Sequence, residues 1–287
     1  MNKNFLFVDR VAVLATMHQK ERAIAPLLET ELGIKVIVPS QFDTDCFGTF
    51  TREIKRIGTQ IEAARLKAQQ VLELTGETIA IASEGSFHPH PAFPFISCDR
   101  EIILLLDKDN DLEIIGQELS TDTNHSHTQV STLEEALEFA EKIGFPKHGL
   151  VVMSSKNATD REEIFKGIIT EKKLVKSVEK CLRKSSTGVI HLETDMRAMY
   201  NPTRMKVIEK ATQNLIEKLN SFCPQCSAPG FDVVSRSPGL PCGWCSSPTS
   251  LIKVAIYQCQ KCNYKQEVLF PDGLEIADPA YCQYCNP

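Results

Sequence analysis

Residues 11–38 read VAVLATMHQKERAIAPLLETELGIKVIV. Val11 to Thr16 is a short continuous apolar run, Gln19 to Leu32 has helical periodicity that stops at Gly33, and Ile34 to Val38 is apolar again. A second helical pattern is expected from Thr51 to Leu74, with Ile54, Ile57, Ile61, Ala64, Ala68 and Val71 on one face and Gly76 as its stop. Thr78 to Ala82 is a third apolar run. Strands and helices in strict alternation imply crossover connections. Apolar strands without a polar face suit a sheet covered on both sides. The expected class is therefore α/β, a mainly parallel sheet with flanking helices.

Further along, Ile102–Leu106 and Leu112–Ile115 flank the polar turn 107–111 and predict an edge hairpin. The stretch 120–131 reads as a polar loop in which His125 and His127 are solvated. Helices are expected over Leu133–Ile143 and Lys172–Lys184, and strands over Gly149–Met153 and Gly188–Leu192. Asn201 and Pro202 have the chemistry of an N-cap and first helical residue, and open a helix that leads toward Phe222. A boundary near 221 divides the chain into an α/β domain, 1–221, and a C-terminal module, 222–287.

That module holds four Cys-x-x-Cys pairs: Cys223/Cys226, Cys242/Cys245, Cys259/Cys262 and Cys282/Cys285. Two thiolates so spaced grip one metal from a tight knuckle, and a second pair completes a tetrahedron around Zn²⁺. Two Cys₄ sites are expected, both structural, on a small zinc-ribbon-like β module. The turns Ser237-Pro-Gly239 and Pro271-Asp-Gly273 favour sequential pairing, 223/226 with 242/245 and 259/262 with 282/285; an alternating, cross-braced pairing is the other option. Trp244 and four of the five tyrosines lie here. In so small a module most of them should serve as core; an exposed aromatic patch would instead suit a protein partner.

Formal charge is −5, and the module carries four basic against five acidic residues before its thiolates are counted. Phosphate backbones need the opposite sign, so a nucleic-acid partner is not expected. No apolar run reaches the roughly 20 residues that span a bilayer. The N-terminal residues lack a signal-peptide pattern, which points to the cytoplasm, where regular CxxC spacing means metal rather than disulfides. Cys46, Cys98 and Cys181 stand alone, as core cysteines usually do.

In parallel sheets, ligands bind beyond the carboxyl ends of the strands. The segments expected there are polar. Asp43, Asp45, Glu84 and His88 are the candidate catalytic groups, suited to proton transfer. Arg52, Ser86, Arg197, Asn201 and Arg204 are the candidate substrate contacts, with the arginines clamping a carboxylate or phosphate. Ser83-Glu-Gly-Ser86 reads as a plain loop, and its alternative is a turn at Gly85 that exposes backbone N–H groups to an anion. His88 and His90, with Asp43, Asp45 or Glu84, form a candidate second metal site.

The run 194–205 with Cys223-Pro-Gln-Cys226, Gly239-Leu-Pro-Cys242 and the closing Tyr284-Cys-Asn-Pro287 resembles a bacterial family of uncharacterised proteins, over nearly the whole chain. That resemblance implies a grouping and no mechanism. Residues 133–146 with the strand at 150–153 are similar to the opening of the nucleotide-binding subdomain of ATP-grasp ligases, and Asn201–Arg204 to its metal-binding end. This chain departs where a phosphate-binding lysine is expected: Val-Val-Met-Ser-Ser stands there, and Lys156 comes late. The leading functional expectation is a small-molecule hydrolase or transferase acting on an anionic substrate. The alternatives are a ligand-sensing or protein-interaction module that docks through its zinc domain and, as suggested by the second resemblance, an ATP-grasp-like ligase.

Overall fold

A computed structural model describes residues 6–48, 56–156, 158 and 160–286, without the side chains of Asp45 and Arg161. The chain divides into two compact units, Met1–Ile216 and Glu217–Pro287.

The first unit opens with β1 (Val11–Ala15), α1 (Glu21–Leu32), β2 (Lys35–Ile37), α2 (Gln60–Thr75) and β3 (Ile79–Pro89). Parallel pairing of β1 with both β2 and β3 makes this the expected crossover sheet. Right-handed crossovers in opposite directions place α1 and α2 on opposite faces. Ala64, Ala68 and Val71 of α2 pack on Val13, Ala15, Ala80 and Ala82. α2 starts later than the periodicity suggested. Its boundary is a capping box, Thr59 accepting from the Glu62 N–H while the Glu62 carboxylate accepts from the Thr59 N–H. Arg52 and the start of the expected helix lie outside the described residues.

The parallel expectation holds only this far. β3 continues through the presumed Ser83–Pro89 loop and pairs antiparallel with β4 (Ser97–Asp107), which pairs antiparallel with β5 (Leu112–Ser120). The first sheet is therefore mixed, in the order β2-β1-β3-β4-β5. Gly85 is an ordinary strand residue opposite Glu101. A Cβ there would sit 2.2 Å from Glu101 Oε1, so the glycine makes room for a buried ion pair rather than an anion-binding turn.

The later strands form a separate antiparallel sheet. β6 (His127–Val130), α3 (Leu133–Lys142), β7 (Leu150–Met153), β8 (Ile164–Ile168), α4 (Glu171–Lys184) and β9 (Ile190–Thr194) assemble in the order β6-β9-β7-β8. Each of the two helices crosses between non-adjacent parallel strands, so the crossovers interleave while neighbouring strands stay antiparallel. Leu150, Val152, Ile168, Ile190 and Leu192 turn one face toward α3 and α4. The alternate residues form the other face. The segment that resembles ATP-grasp ligases supplies α3 and β7 of this sheet.

α5 (Pro202–Leu219) starts as read, with Asn201 Oδ1 accepting from the Arg204 N–H at 3.0 Å. It presses on β5 where Gly116 lacks a side chain; a Cβ there would lie 2.4 Å from the Ala211 carbonyl oxygen.

In the second unit β10 (Asp232–Pro238), β11 (Ile252–Gln258) and β12 (Lys265–Leu269) form an antiparallel meander. The start of β10, the end of β11 and the start of β12 share one end of the sheet, which brings the first and third knuckles together. The second and fourth meet at the other end. Pairing is thus cross-braced, Cys223/Cys226 with Cys259/Cys262 and Cys242/Cys245 with Cys282/Cys285, which corrects the sequential expectation. The knuckles themselves reverse the chain. Their common device is a hydrogen bond to the carbonyl of each first cysteine, donated by Ser227, Ser246, Asn263 and Asn286.

Candidate functional site

A cavity of about 750 Å³ opens where the free face of the second sheet meets the ends of β1 and β3. Alternation along the antiparallel strands supplies one wall: His127 from β6, Lys166 from β8, and His191 and Glu193 from β9. The opposite wall comes from the segment after β1 (Thr16, His18, Lys20), from β3 (Ser83, Glu84, Ser86) and from Lys67 of α2. His125 stacks on Phe87 of β3 with ring centroids 5.3 Å apart, joining the walls at one edge.

Among the described residues, six basic side chains line the cavity (Lys20, Arg56, Lys67, Lys156, Lys166, Arg197) with four histidines and three carboxylates (Glu84, Glu193, Asp195). Two of those carboxylates pair with basic side chains of the same lining. Glu84 pairs with Lys67 and, at 3.5 Å, with Arg56. Asp195 accepts from Arg197 Nε at 3.0 Å and Nη2 at 2.6 Å and from the Gly167 N–H at 2.9 Å, which fixes the guanidinium at the rim. His191 is 1% exposed and makes no hydrogen bond at either ring nitrogen among the described residues. Its Nε2 lies 3.4 Å from Glu193 Oε2.

Burial, reinforced by Lys20 and the neighbouring arginines, pushes the His18 pKa down to about 3, so this imidazole is neutral at physiological pH. Lys20 is pushed down to about 7, mainly by burial and then by Arg204. Its Nζ donates to Ser83 Oγ at 2.9 Å. The parallel register that sets Ala15 beside Ala82 brings these two residues together.

Of the residues expected at the site, Glu84, Ser86 and Arg197 line the cavity. Asp43 does not; it borders a separate, open depression with Met17, Gln19 and Pro39. Asp45 opens the short turn Asp45–Phe47, and Arg52 is not described. His88 lies farther along β3, its Nδ1 2.8 Å from the Pro89 carbonyl oxygen, while His90 Nδ1 accepts from the Ala92 N–H. The ligand set expected for a second metal forms no close cluster among the described residues. Asn201 is the fully buried cap of α5. Arg204 is buried with Glu101 at 2.6 Å and supports β3 from behind. The expected convergence on a strand edge therefore brings in three of the candidates and excludes the two residues that α5 carries into the core.

His125 and His127, expected in a solvated loop, line the cavity, His125 half-buried and His127 exposed. His18, Ser83 and Glu193 lie in the polar segments expected past the strand ends, and they line the cavity; Lys20, Lys67, Lys156, Lys166 and His191 are additions from the structure. His191 and Glu193 left a signal, polar residues alternating with Ile190 and Leu192 in a strand. The meeting of Lys20 with Ser83 has no signal in the sequence, since they are 63 residues apart and come together through strand register.

In the second unit each cysteine cluster has its four sulfurs within 4.8 Å of one another. Cys223–Cys262 and Cys226–Cys259 stand 3.7 and 3.6 Å apart, Cys242–Cys285 and Cys245–Cys282 3.8 and 3.6 Å. A disulfide needs about 2.05 Å. Four sulfurs about 2.3 Å from a central Zn²⁺ would be about 3.8 Å apart. The clusters can therefore each hold a metal ion. Trp244, expected in the core, is 79% exposed, and Tyr281 and Tyr284 are exposed as well.

Among the described residues no helix is long and apolar enough to cross a membrane. Residues 67–287 match the family model described as a domain of unknown function (DUF6671), and the chain belongs to that family. No curated protein matches it.

Proposed function

We propose that the cavity binds a small anionic molecule and acts on it as a hydrolase or transferase, while the two cysteine clusters hold structural zinc. The observation that carries the first part is a charge inversion: six basic groups face three carboxylates inside a chain whose net charge is −5. A concave site with low-dielectric walls focuses such a field and concentrates anions. Support for zinc comes from the four soft thiolates of each cluster, which would fill a tetrahedral ion's ligand positions and leave none for water. Reduced thiolates of this kind fit a cytoplasmic setting.

Thermal melts against phosphate, pyrophosphate, citrate and dicarboxylates, at low and high ionic strength, test the anion reading. At least one anion should raise the melting temperature by several degrees, as ligand linkage requires. Lys166→Glu should abolish the shift. A full panel without any shift overturns the reading.

A second reading is favoured by one observation. Trp244, Ile276, Tyr281 and Tyr284 are all more than half exposed around the second cysteine cluster. Aromatic anchors of this kind are enriched at protein interfaces, so the module would dock a protein partner while the cavity senses a ligand. Loss of turnover when cavity residues are changed separates the enzyme from the sensor.

A further inference from the structure

We infer that Ser83 and Lys20 form a nucleophile and general-base pair that performs acyl transfer on a carboxylic ester, thioester or amide bearing a negative charge elsewhere in the molecule. The inference rests on the anionic-substrate reading above and adds the reacting groups and the bond that is cleaved.

The first support is contact geometry. Lys20 Nζ lies 2.9 Å from Ser83 Oγ, within the reach that a base needs to take a hydroxyl proton. Both residues line the cavity, and both are nearly buried, at 7% and 2% exposure. The second support is placement. Ser83 sits on a strand and Lys20 is the residue that caps the start of α1, so each is held by a rigid element.

The third support is the charge around the amine. His18 faces it from its own segment, Glu84 from β3, Asp99 and Glu101 from β4, Lys67 from α2 and Arg204 from α5. Glu84 is engaged by Lys67 and Glu101 by Arg204, and burial pushes the Asp99 pKa up to about 8, which favours its neutral form at pH 7. Burial and the surrounding cations then leave Lys20 with a pKa of about 7, so much of it is free amine at neutral pH.

In the amine form Lys20 accepts the Ser83 hydroxyl proton while Oγ attacks the carbonyl carbon. Collapse of the tetrahedral adduct breaks the bond to the leaving group, which departs with the proton carried by Lys20, and Ser83 is left acylated. Water, deprotonated by the regenerated amine, then attacks the seryl ester; the acid is released and the proton returns to Oγ. One water is consumed and no redox partner is needed. A transferase replaces that water with an acceptor hydroxyl or amine. Carbonyl rather than phosphoryl chemistry is favoured because a general base alone suffices to reopen a seryl carboxylic ester, whereas a seryl phosphate is far more inert.

The test is labelling of the full chain with 4-nitrophenyl acetate and the anionic mono-4-nitrophenyl succinate, followed by intact mass and peptide mapping. The acyl group should appear on Ser83, faster from the succinate, at a rate that rises with pH through a midpoint near 7. Ser83→Ala, Lys20→Met and Lys20→Arg should each lose roughly 100-fold or more, the last because a guanidinium retains the charge and cannot act as base. A phosphate-induced rise in melting temperature that persists in Ser83→Ala would show that this variant is folded and its cavity intact. Acylation on Lys20 instead of Ser83, or Ser83 labelling that Lys20→Arg leaves unchanged, overturns the pair. With phosphate still binding, either result leaves the anion reading standing. Ser83 labelling that depends on Lys20 but shows no preference for the succinate, in a protein that no anion stabilises, supports the pair and overturns the anion reading.

Discussion

Behind the cavity wall, charged side chains are fully desolvated. Arg204 and Glu101 are both buried and bonded to each other, and Asp99, 1% exposed, shares their surroundings. Burial, then the negative charge of Glu101, pushes the Asp99 pKa up to about 8 against the opposing pull of Arg204 and Lys20. A carboxyl whose pKa is higher folded than unfolded holds its proton only in the native state between the two values. Stability from this group is therefore full below about pH 4 and is lost as pH climbs toward 8, with a slope of at most about 1.4 kcal/mol per pH unit. Asp99→Asn removes that loss. Its melting temperature relative to the parent should climb between pH 5 and pH 9; a constant gap across that range would contradict the account. Gly85 belongs to the same arrangement, since any side chain there meets the Glu101–Arg204 pair.

Among the elements, the meander of β10, β11 and β12 decides which cysteines share a metal. The parent should carry about two zinc ions per chain by elemental analysis. Cys226→Ser should leave about one, and adding Cys259→Ser should still leave about one, because both belong to the same cluster. Combining Cys226→Ser with Cys245→Ser should empty both sites. Sequential pairing would give the reverse result for the two double variants.

The sequence shows that there are two cysteine sites, since CxxC spacing is a local property. It does not show their pairing, because an antiparallel turn made by a knuckle looks the same as one made by Pro-Gly. The same limit explains the sheets. Val11–Ala15 and Ile79–Ala82 read correctly as buried parallel strands from their continuous apolar character. β6 and β8 did not, because His127-Thr-Gln-Val130 is too polar and Ile164-Phe-Lys-Gly-Ile168 is broken by lysine and glycine. Those two strands turn the later part of the domain into a second, antiparallel sheet. His127 and Lys166, which line the cavity, lie on them.

At the scale of the whole chain, an acidic protein brings six cationic groups, from segments far apart in sequence, to one concavity built from both sheets of the first unit. If the inversion is functional, a small tetrahedral dianion should find the cavity before any outer patch, because convergent charges outcompete solvated surface ones. The most direct measurement is anomalous diffraction from crystals soaked in tungstate. The account predicts a strong tungsten peak inside the cavity, within hydrogen-bonding reach of Lys20, Lys166 or Arg197. Ordered tungstate confined to the outer surface, with the cavity empty at saturating concentration, would contradict it.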